Sequence, residues 1–148
     1  PLSLLFADFY FYLIAFETDG GVEYPKYFRV DRIKHITEHR TRFTTAETPD
    51  FDEGLLRRRS LFMWPGKLRT IRFEYTGPSV QAVLDKLPTA KIVDRCKGGY
   101  VVEAEVYGDG IRMWILSQGD WVKIIGPEEF VEEVRGEILK MGRKYEKN

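Results

Sequence analysis

The chain of 148 residues holds one cysteine, two histidines and no net charge. A lone Cys96 excludes an intrachain disulfide framework and fits a reducing, cytoplasmic setting. With 23 basic and 23 acidic residues, no global field draws the chain to nucleic acid or to a membrane surface. No apolar run approaches the ~20 residues that a membrane helix needs. The opening Pro1-Leu2-Ser3-Leu4-Leu5-Phe6 lacks the basic start of a signal peptide and is soon interrupted by Asp8. His35 and His39 stand at a helical metal spacing, but on an extended segment they would lie roughly 13 Å apart. No cysteine or carboxylate cluster accompanies them, so no metal site is expected. The glycine pairs Gly20-Gly21 and Gly98-Gly99 fall between strands rather than between a strand and a helix, which argues against a phosphate-binding loop. There is no Gly-x-Ser-x-Gly, and Cys96 has no evident base. Neither enzymatic activity nor a cofactor is expected.

What the chain has in quantity is apolar and aromatic side chains, enough at 43% and 14% to bury a core. The stretch Phe9 to Ile36 organises the first part. An aromatic run, Phe9 to Phe16, turns at Thr18-Asp19-Gly20-Gly21 and returns from Tyr24 to Val30, the pattern of a β-hairpin. A short strand, Leu2 to Phe6, precedes it, and Ile36, Thr37, Thr41, Phe43 and Thr44 favour extended structure beyond it. Several short strands with turns between them predict a small barrel over residues 1–45. Strand alternation puts Phe28 and Val30 in its core and turns Arg29 outward.

A linker and short helix span 46–66. Asp52 caps the helix, which is expected over Glu53 to Trp64 and ends at Pro65-Gly66. From residue 67 to 148 the order is strand, helix, hairpin, helix, strand. The strands are Leu68–Tyr75, Ala90–Arg95, Tyr100–Tyr107 and Trp121–Ile125. Helices begin at Gly77-Pro78 and after Asp109, the second closing at Gly119. This is the β-α-β-β-α-β order of a ferredoxin-like split βαβ domain. A terminal helix follows Pro127, with an apolar stripe of Phe130, Val134, Ile138, Met141 and Tyr145. The expected fold class is therefore α+β, a small barrel followed by a ferredoxin-like domain.

Six basic residues between Lys26 and Arg42 face only Asp31 and Glu38, a local excess of four. On residue type alone, Arg29 and Arg32 would make surface ion pairs with Asp31, Glu23 or Glu38. The triplet Arg57-Arg58-Arg59 reads as a solvated helix face, and Trp64, Trp114 and Trp121 as packing residues.

Phe11-Tyr12-Leu13, a turn, and then Phe28-Arg29-Val30-Asp31-Arg32-Ile33 resemble the WYL domain of bacterial regulators. That family pairs Trp-Tyr-Leu with a phrase close to Phe-Arg-Leu-Asp-Arg-Ile. Here Phe11 stands for the Trp and Val30 for the Leu. The second half, through Trp114-Ile115-Leu116-Ser117-Gln118-Gly119 and Gly126-Pro127-Glu128-Glu129, is similar to the C-terminal extension that often follows a WYL domain. Gln118 departs from the usual aromatic. The resemblance implies an Sm-like or SH3-like barrel that senses a nucleotide or nucleic acid.

On that reading Arg29 and Arg32 take an anionic effector, nucleotide or oligonucleotide, and Tyr12 stacks or hydrogen-bonds beside them. Family members usually carry a helix-turn-helix ahead of the barrel. None is expected in this sequence, so duplex DNA is not an expected partner of this region itself. A first barrel strand is expected to be missing too, and an open sheet edge predicts a homodimer. The alternative is a stand-alone module that binds single-stranded nucleic acid directly.

Overall fold

Two separate antiparallel sheets and four α-helices make up the computed structural model, which describes residues 1–17, 24–40, 42 and 51–146. The first sheet has the order β1 (Ser3–Ala7), β2 (Tyr10–Ala15), β3 (Lys26–Arg29). Its register pairs Leu5 with Tyr12, Tyr12 with Arg29, and Ile14 with Tyr27. Side chains at these positions point to one face, where Leu5, Tyr12 and Ile14 close a small core with Leu56 of α1 (Glu53–Arg59).

No closed barrel is formed by the described residues. Among the described residues the three strands form an open sheet with a helix on one face. The expected turn at 18–21, the extended residues 41, 43 and 44, and the linker residues 46–50 lie outside the described residues.

Two expectations about the return strand are also corrected. Lys26–Arg29 is strand, but Val30–Arg32 is a 3-10 turn, so Asp31 and Arg32 leave the ladder. Phe28 and Val30 do not point into the small core; both are exposed, while Tyr27 packs inward. The segment carries apolar residues on both alternating faces, and α1 covers the face that holds Tyr27 and Arg29.

Asp52 caps α1 as expected, its carboxylate accepting from the Leu55 amide at 3.0 Å. The helix stops at Arg59, short of Trp64. Ser60 instead bridges to Tyr107, and Phe62 and Met63 take left-handed backbone conformations that no helix continues through.

The second sheet contains β4 (Leu68–Tyr75), β5 (Lys91–Cys96), β6 (Gly99–Tyr107) and β7 (Val122–Gly126), in the order β5-β6-β4-β7. Helix α2 (Val80–Lys86) connects β4 to β5, and α3 (Gly110–Ser117) connects β6 to β7. The terminal helix α4 (Glu128–Arg143) follows β7. Alternation is strict: Ile71, Phe73 and Tyr75 with Val102, Ala104 and Val106 face the large core, where Ile111, Trp114, Phe130 and Val134 of the helices meet them. The opposite face is ionic, with Glu103 joined to both Arg72 and Lys91.

Helix starts differ slightly from expectation. Ser79 rather than Gly77-Pro78 caps α2 by accepting from the Ala82 amide. Asp109 precedes α3 without a side-chain cap, its carboxylate lying 3.6 Å from both Arg69 and Arg112. Trp114 is buried in the large core, whereas Trp64 and Trp121 are about half exposed.

Candidate functional site

A cleft of about 670 Å³ opens where β2 and β3 meet the segment that leaves the sheet. Tyr12, Arg29 and Arg32 all line it. The ladder places the first two: Tyr12 and Arg29 are direct cross-strand partners, so their side chains emerge side by side on one face. The 3-10 turn then carries the chain round so that Arg32, Ile33, Lys34 and His35 form the rim. Tyr27 and Met63 line the cleft as well.

These groups differ in readiness for a ligand. Arg29 is held by two partners. Its guanidinium forms a two-pronged pair with Asp31, at 3.1 Å from Nε and 2.7 Å from Nη2, and lies 3.4 Å above the Tyr10 ring. Hydrogen bonding to Asp31 raises the Arg29 pKa and holds the Asp31 carboxyl below its ordinary value. The surface ion pair considered for Arg29 is thus present. Arg32 and Lys34 are exposed and make no ion pair among the described residues. Tyr12 is only 9% exposed and belongs to the small core, so it floors the cleft and leaves little ring face for stacking.

The walls connect the cleft to the second sheet. Tyr27 meets Ser60 Oγ at 3.0 Å, and burial pushes the Tyr27 phenol up from its ordinary pKa. Three consecutive residues then reach three places. Leu61 enters the large core, the Phe62 ring lies 5.2 Å from Lys86 Nζ of α2, and Met63 packs on the small core. Arg59 adds a clamp, paired with Glu105 and facing Tyr107 on β6. It is not part of a solvated face, in contrast to the exposed Arg57 and Arg58.

Tyr27 and Met63 were not singled out by sequence, and His35 was weighed there only as a metal ligand. Lys34 lay in the basic run, which was the available signal; Met63 comes from a distant segment and gave none. Among the described residues no group of three or more His, Cys, Asp or Glu side chains is arranged to hold a metal. Among them, too, no helix is long and apolar enough to cross a membrane.

The architecture is mixed α+β, with a polar cleft on the first antiparallel sheet and a β-α-β-β-α-β order of elements in the second. The WCX domain, the C-terminal domain associated with WYL domains, matches residues 68–142, just over half of the chain. The chain belongs to the WCX domain family. A comparison with curated proteins found no match.

Proposed function

We propose that this chain is the effector-sensing and dimerising region of a WYL-type transcriptional regulator, and that its effector is anionic, a nucleotide or a short nucleic acid. One observation carries the reading: Tyr12, Arg29 and Arg32, chosen from paired sequence motifs, line one cleft on a chain of the WCX family. The strand order of the second sheet supports a ferredoxin-like unit for that half. Arg32 and Lys34 meet the ligand's phosphates first, as exposed cations with no ion pair among the described residues. Arg29 engages by exchanging Asp31 for a phosphate, since its fork suits either anion. Met63 offers an apolar wall to a base, while the mostly buried Tyr12 closes the floor without stacking on it. Duplex DNA is read elsewhere, by a helix-turn-helix, a reading supported by the lack of a recognition helix among the described residues and by the balanced charge of the sequence. No catalysis is assigned to it.

The test is calorimetric titration of short oligonucleotides and cyclic nucleotides at several salt concentrations. Arg32→Ala should weaken binding at low salt and reduce the slope of log K against log salt by about 0.7 for a single strand. Equal affinity and equal slope in wild type, Arg29→Ala and Arg32→Ala would place any anion site elsewhere.

A further inference from the structure

The face of the first sheet turned away from α1 is apolar, and among the described residues nothing packs over it. Leu4 pairs with Leu13, Phe6 with Phe11, and Leu13 with Phe28, so these five side chains form one contiguous surface. Leu4, Phe6 and Phe11 are 57%, 54% and 53% exposed. The Phe6 and Phe11 rings are packed on each other, centroids 5.0 Å apart. Phe9 extends the patch at the hairpin tip, 91% exposed and at φ +68°, a conformation that a bulky residue adopts at a cost. Alternation explains how the patch arises. Both faces of this sheet are apolar, and α1 covers only one.

We infer that a second copy of this chain covers this face, by two-fold packing of sheet on sheet. The inference rests on the reading of the chain as a dimerising region, and names the surface. Size supports it. With about 200 Å² for each aromatic side chain, the exposed fractions amount to roughly 500–600 Å² of apolar surface per copy. A pair therefore buries about 1,100 Å² before any polar rim, near the lower edge of the ~1,200–2,000 Å² of specific interfaces. Charge supports it as well. The five side chains carry no charge with which to select a foreign partner, and Lys26 at the rim is already paired with Glu17 at 2.6 Å. A two-fold contact asks only that the patch complement itself.

The experiment is sedimentation equilibrium of wild type and of the double variant Phe6→Lys, Phe11→Lys, with circular dichroism to check folding. Hydroxyl-radical footprinting of the wild type across a concentration series accompanies it. The expected result is a wild-type dimer, oxidation of Phe6 and Phe11 that falls as concentration rises, and a dissociation constant raised on the order of 100-fold in the variant. A wild-type dimer whose Phe6 and Phe11 stay equally reactive at every concentration overturns the assigned face while leaving dimerisation intact. A wild type that remains monomeric at high concentration overturns both and gives the face to a different occupant. Footprinting of the wild type decides the matter even if the variant fails to fold.

Discussion

Asp31 already occupies the Arg29 guanidinium, so the cleft holds an anion of its own. Removing that competitor should help the ligand. Asp31→Asn is expected to tighten binding of a short oligonucleotide several-fold, read by calorimetry at fixed salt; weaker binding would mean that Asp31 positions Arg29 more than it blocks it. Tyr27 makes a pH prediction. Its folded-state pKa is raised, chiefly by burial, so it favours folding at and below the ordinary tyrosine range, and that contribution is lost as pH rises through the raised value. Urea denaturation should therefore show stability falling above about pH 10. Tyr27→Phe should flatten that fall and cost about 1 kcal/mol at neutral pH by leaving Ser60 without its partner.

At the scale of elements, the β1–β2 turn is the clearest point of strain. Asp8 and Phe9 both have positive φ, the geometry of a two-residue hairpin turn that favours Asn-Gly. Phe9→Gly should stabilise the dilute protein by roughly 0.5–1 kcal/mol in thermal or urea melts, since the exposed ring loses little packing. The same change should weaken self-association if the hairpin face is the interface. The element order of the second sheet was legible in the sequence, because clean alternation marked β4 and β6 and helical spacing marked the helices. The first was less so. Its strands carry apolar residues on both faces, and alternation alone could not say which face α1 would cover; Phe28 was assigned inward and lies outward. The cleft was legible through the paired motifs that supplied Tyr12, Arg29 and Arg32. Met63 was not, because its place beside them depends on the left-handed turn that ends α1.

In the whole molecule, the small core and the large core are joined through a short stretch, Arg59 to Met63. Arg59 is 16% exposed at its side chain and ties α1 to β6 through Glu105 and Tyr107. Arg59→Ala should destabilise the protein by about 1–2 kcal/mol, from lost stem packing as well as the lost pair. Differential scanning calorimetry should also show a broader transition, as the two sheets unfold less cooperatively. An unchanged single transition would mean that Leu61 and Phe62 couple the halves without it. The same stretch brings Met63 to the cleft wall, so a ligand there touches the segment that leads into the WCX domain. The measurement that tests the central claim most directly is an NMR titration with a short single-stranded oligonucleotide, following arginine side-chain and backbone amide signals together. The account predicts shifts at Arg29, Arg32, Lys34 and Met63, with Arg57 and Arg58 unmoved. Shifts centred on Arg57 and Arg58, or none at millimolar ligand, would contradict it.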